Sequence, residues 1–127
     1  MTTRIIIAGS REFTDYDYLK AKCDEITSNY KAEEIEIISG TAKGADQLGE
    51  KYATEKSYKL TRMPAKWETH GISAGHIRNT EMAKYASQQT SILCAFWDGQ
   101  SRGTKNMIQT AKKYNFHKIH TYTEWSK

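Results

Sequence analysis

A chain of 127 residues fits one domain and is long enough to bury a real core. Apolar residues make up 38%, with three Trp, three Phe and eight Tyr, which excludes a disordered chain. The net charge of +4 favours anionic partners, but Lys and Arg are spread along the whole length, and that argues against a nucleic-acid tail.

Residues Arg4 to Ala8 read as a buried first strand, rich in β-branched Ile. Gly9-Ser10-Arg11 breaks it. Thr14 or Asp15 can cap a helix with Leu19, Cys23, Ile26 and Tyr30 at helical spacing. Glu34 to Ser39 reads as a second strand, and Gly40 to Gly44 is the next break. Ala45, Leu48, Tyr52 and Ala53 then share one helix face. Tyr58 to Met63 is a third strand, more polar and so closer to the sheet edge, and Pro64 ends it. Ala65 to Gly75 reads as the longest irregular segment. A helix from about Gly75 to Ala86 follows it.

Ile92 to Trp97 is six uninterrupted apolar residues, the signature of a strand covered on both faces. It stops at Asp98-Gly99. Gly103-Thr104 then opens a helix whose apolar face carries Met107 or Ile108 and Ala111, running to about Asn115. Lys118 to Tyr122 closes the chain as a last strand. Alternating strands and helices predict a three-layer, Rossmann-like α/β domain of about five mostly parallel strands with helices on both faces. The first and fourth strands are expected to be central neighbours. The ligand edge is then expected between Gly9-Ser10-Arg11 and Asp98-Gly99.

Two cysteines, Cys23 and Cys94, make no disulfide framework and read as packed thiols. No metal-ligand spacing exists, no cofactor is called for, and nothing approaches a signal peptide or a membrane span. The expected compartment is a reducing cytoplasm.

Three glycine-bearing turns follow three strands and would project from one sheet edge. Glycine lets a backbone approach phosphate closely, and helix starts collect anions. None is a Walker A loop or a G-x-G-x-x-G fingerprint, so an ordinary NTPase or dehydrogenase is disfavoured. Arg11 is placed to pair with phosphate, or is a solvated Arg. Ser10 donates to a phosphate or caps its turn. Asp46 lies in a first helical turn, where the dipole alone accounts for it; a hydrogen bond to a ribose hydroxyl is the sharper reading. Arg78 stands near a helix start against the dipole, with Asn79 beside it, and needs an anion or a salt bridge to explain it. Trp67 and Trp97 offer faces for a base, though packing is the commoner role, above all for Trp97. His70 and His76 read as surface or loop residues.

Several stretches together resemble one family: IIIAGSREFTDYDYL, IISGTAKGADQLGEKYA, MPAKW with GISAGHIRNTEMAKYA, and AFWDGQSRGTKNMI. The chain resembles the small YspA-like, YpsA-related members of the SLOG superfamily. That group also takes in the lysine-decarboxylase-like LOG proteins and the Rossmann part of DprA. The resemblance implies binding, for sensing or processing, of a nucleotide or an ADP-ribose-like molecule. Its ligand-facing positions would be Gly9, Ser10, Arg11, Gly40, Gly44 and Asp46, then Arg78, Asn79, Gly103 and Thr104. Trp67, Asp98, Gly99 and Ser101 join them from the reading of the turns.

LOG enzymes cleave base from ribose 5-monophosphate, using an Arg-Lys pair and a PGGxGTxxE motif. Here Arg78 matches the Arg, Asn79 replaces the Lys, and Met107 stands where the catalytic Glu would be. Methionine supplies neither charge nor proton, which counts against LOG-type hydrolysis. An N-glycosidic hydrolase would need Asp98, Asp46 or Glu81 instead, so catalysis is left open. A single-stranded nucleic-acid binder of DprA type is the third reading, opposed by the scattered charge. The resemblance leaves a homodimer open.

Overall fold

The computed structural model describes residues 1–125. Five strands form one sheet: β1 (Thr3–Gly9), β2 (Ile35–Ser39), β3 (Lys59–Arg62), β4 (Thr90–Phe96) and β5 (Lys118–Tyr122). Their order is β3-β2-β1-β4-β5, and every neighbouring pair is parallel. The helices are α1 (Tyr16–Thr27), α2 (Ala45–Lys56), the short α3 (Trp67–His70), α4 (Ala74–Ala86) and α5 (Arg102–Lys113). This is the Rossmann-like α/β architecture expected. β1 and β4 are the central neighbours, and the strand order reverses between them.

Side chains alternate across a strand, so each central strand feeds two cores. Ile5, Ile7, Ile92, Cys94 and Phe96 pack on one face with Leu19 and Cys23 of α1 and Tyr52 of α2. Ile6, Ala8, Leu93 and Ala95 pack on the other with Met82 of α4 and Met107 of α5. Both cysteines are buried and free. A hydrogen bond with Cys94 and burial push the Cys23 thiol far up, in keeping with its packing in the core. The edge strand β3 has no buried residue, in keeping with its polar sequence.

The boundaries differ from expectation where polar residues take structural roles. β4 starts at Thr90 because Thr90 and Ser91 pair with Thr3 and Arg4. It ends at Phe96; the Trp97 amide then donates to the Tyr122 carbonyl at 2.9 Å. Asp15 is the cap of α1, accepting from the Tyr18 amide at 3.1 Å. Ala65 to Gly75 is less irregular than its composition predicts, since it holds α3 and a 3-10 turn, Gly71–Ser73.

The amino end of the sheet is tied by a buried acid that the sequence reading did not single out. Glu36, 1% exposed, accepts from Arg4 Nε at 3.0 Å and from the hydroxyls of Thr61 and Tyr85. Burial opposes its charge, but those donors outweigh burial and hold its carboxyl below the usual range. The carboxyl end carries the glycine turns instead.

Candidate functional site

A hollow of about 520 Å³ opens at the carboxyl ends of β1 and β4, where the strand order reverses. Gly9 ends β1 with its backbone against β4. A Cβ there would stand 2.2 Å from the Phe96 carbonyl oxygen and 2.8 Å from Ala45 Cβ. The next residue, Ser10, is 1% exposed and ties three turns together. Its amide donates to the Phe96 carbonyl at 2.9 Å. Its carbonyl accepts from the Ala45 amide at 3.3 Å, and its hydroxyl oxygen accepts from the Asp98 amide at 3.0 Å. Ser10 thus holds its turn, and its hydroxyl proton is not spent in that bond.

Gly44 precedes α2 with φ +82°, and a Cβ there would lie 2.3 Å from the Ser10 carbonyl oxygen. Gly40 leaves room of another kind. A Cβ at Gly40 would meet Arg78 Nη1 at 2.6 Å and Asp46 Oδ2 at 2.8 Å. Arg78 Nη1 donates to the Gly40 carbonyl, and its Nε donates to Asn79 Oδ1 at 3.0 Å. Asn79, 3% exposed, donates onward to the Gly103 carbonyl at 3.2 Å and to Asn106 Oδ1 at 2.9 Å. An Arg at the start of α4, misplaced with respect to the helix dipole, is thus held by carbonyl and amide oxygens across the strand ends.

The β4–α5 turn is built from its own side chains. Asp98 Oδ1 accepts from the amides of Gln100 and Ser101, both at 2.8 Å. Ser101 caps α5, its hydroxyl oxygen accepting from the Thr104 amide at 3.5 Å. Trp97 packs beside the second core cluster and donates its indole N–H to the Ser101 carbonyl at 3.0 Å. That is the packing role expected of it. Gly103, in the first turn of α5, faces the hollow.

Gly9, Arg11, Asp46, Trp67, Arg78 and Asn79 therefore line one hollow, together with Asp98, Ser101, Gly103 and Thr104. Ser10, Gly40 and Gly44 stand behind its wall, where they shape the turns, and Gly99 lies outside it, exposed, with φ +85°. Sequence reasoning missed Glu12, Ile72 and Gln100 on the rim; Met82, four residues on from Arg78 and on the same helix face, lies in the floor. Their places next to named turns were the available signal for Glu12 and Gln100. His76 is at the surface as read, but it faces the hollow. Met107 lines the floor at the position where LOG enzymes carry an acid. Glu81 is exposed and away from the hollow, which corrects its candidacy as a replacement acid.

The charges in the hollow are unevenly matched. None of the described ion pairs takes Arg11 or Arg78. Burial lowers the Arg78 pKa, the charge of Asp46 raises it, and repulsion from Arg11 lowers it again. Asp46 is 4% exposed. Burial lifts its pKa to about 6, against the pull of Arg78 and hydrogen bonds from the Ala42 and Gly9 backbones. Because the folded value is raised, the neutral form is the one the fold prefers. Its stabilisation is complete below the unfolded value near 4 and is lost as pH rises through about 6. Urea unfolding across pH 4 to 7 should show this as a loss of roughly 3 kcal/mol that Asp46→Asn removes. Parallel curves for the two proteins would mean that folding leaves the Asp46 pKa unchanged.

Among the described residues no group of three or more His, Cys, Asp or Glu is placed to hold a metal. No helix among them is long and apolar enough to cross a membrane.

Comparison with known proteins gives the lineage. The chain is similar to the Gene 61 protein of Mycobacterium phage D29, 30% identical over 116 residues, covering 87% of this chain and 89% of that protein. No solved structure matches it. A family model described as YspA, cpYpsA-related SLOG family matches residues 3–70, from β1 through α3. That match spans more than half of the chain, and the chain belongs to the YspA, cpYpsA-related SLOG family.

Proposed function

We propose that the hollow binds a nucleotide or a nucleotide-derived ligand of the ADP-ribose type. One observation carries this reading: Arg11 and Arg78 face one hollow beside the start of α5, and none of the described ion pairs takes either of them. Two guanidinium groups at a helix start favour an anion. Phosphates would rest at Gly103 and Thr104, with both guanidinium groups as counter-charges and the start of α2 adding its dipole. Asp46 is the group for a ribose hydroxyl. A hollow of about 520 Å³ suits a small molecule. SLOG membership supports the same reading, because it suggests nucleotide-related binding or processing.

Asp46 favours a second reading, an N-glycosidic hydrolase. A buried acid with a pKa of about 6, beside an Arg in a cleft, suits proton transfer to a departing base. One experiment addresses both. AMP, ADP, ADP-ribose and nucleotide sugars are added at millimolar concentration, and melting temperature is read. A ligand at a hundred times its Kd stabilises by about 2.7 kcal/mol, a shift of several degrees. If none raises the melting temperature, the binding reading fails. Chromatography of the same samples looks for free base. Adenine released by the native protein and not by Asp46→Asn supports hydrolysis; intact nucleotide at high protein concentration removes it.

A further inference from the structure

We infer that Trp67 and Ile72 form a base-docking wall, so that the ligand of this hollow carries an aromatic base and not only phosphate and sugar. The inference rests on the binding reading above and specifies its ligand class. Among the described residues the large apolar side chains left exposed are Met1, Trp67 and Ile72. Met1 is the chain terminus; the other two line the hollow. Trp67 is 53% exposed and Ile72 99%. Neither α3 nor the Gly71–Ser73 turn buries any residue, so core packing does not account for an indole and an isoleucine here.

Their position relative to the cations gives the wall a use. A Cβ at Gly75 would stand 3.6 Å from Trp67 Cη2 and 3.9 Å from Arg78 Nη2, so indole edge and guanidinium approach the same point. A base stacked on Trp67 then hands its phosphates to Arg78. Ile72 adds apolar cover at the open side. Pyrophosphate or ribose 5-phosphate has no π face and would leave the indole bare. Stacking of one base on an aromatic side chain changes affinity about tenfold.

The test compares ADP and ADP-ribose with pyrophosphate and ribose 5-phosphate by calorimetry, on native protein and on Trp67→Ala and Trp67→Phe. The base-bearing probes should bind about tenfold or more tightly than the baseless ones. Trp67→Ala should erase that ratio, lowering ADP and ADP-ribose affinity about tenfold more than pyrophosphate affinity; Trp67→Phe should keep most of it. Quenching of tryptophan fluorescence by ADP should vanish in Trp67→Ala, since Trp97 and Trp125 lie packed elsewhere. An unchanged ratio in Trp67→Ala overturns the inference while pyrophosphate binding keeps the anion site. Loss of all binding in the native protein sinks the anion site itself. A concentration-dependent dimer, abolished by Ile72→Lys with ADP binding intact, would assign the wall to a second copy of the chain and also overturn it.

Discussion

Arg78→Ala should weaken ADP-ribose and pyrophosphate binding by about 100-fold, the effect of losing a charge-assisted contact of about 3 kcal/mol to phosphate. The side chain is held at Nη1 by the Gly40 carbonyl and at Nε by Asn79, so its position is fixed before any anion arrives. Arg78→Lys keeps the charge but not the planar fork, and it should fall between the two. The same change removes the cation that holds Asp46 partly ionised, so the acid should titrate higher still in Arg78→Ala. Calorimetry at constant salt reads the affinities. Values within threefold of the native protein would mean that the anion lies elsewhere on the rim.

Gly44→Ala should lower the melting temperature by roughly 10 °C, or about 3 kcal/mol for a chain of this size. Two costs combine at this residue. Its φ of +82° with ψ −127° is a conformation that alanine rarely adopts, and its Cβ would stand 2.3 and 2.6 Å from the carbonyl oxygens of Ser10 and Arg11. Gly99 supplies the control: its φ is +85°, and a Cβ there would meet nothing within 4 Å. Gly99→Ala should therefore cost about 1 kcal/mol, the backbone part alone. Equal melting shifts in the two variants would remove the close approach at Gly44 from the explanation.

The order of elements was legible because burial on both faces leaves a plain mark. Ile5 to Ile7 and Ile92 to Phe96 can be apolar throughout only where helices cover both sides of the sheet. The pairing of the first and fourth strands followed from the same property. The glycine turns were legible as a set, since the carboxyl ends of parallel strands point one way. What escaped was whatever depends on contacts distant in sequence. Nothing local distinguishes Ser10, which ties three turns, from a serine that meets ligand. Glu36 is one acid among many until Arg4, Thr61 and Tyr85 arrive around it. Gln100 and Glu12 reach the rim by loop geometry, which has no periodicity to read. Thr90 and Ser91 were lost from β4 because their pairing with β1 overrides a polar composition.

The threefold role of Ser10 has a kinetic consequence. Loops that share one anchor do not have to find each other when a guest arrives, because their ordering entropy was spent during folding. For the binding proposed above, association at such a rim should then be governed by diffusion and charge. Chemical discrimination between guests then shows in how long each one stays.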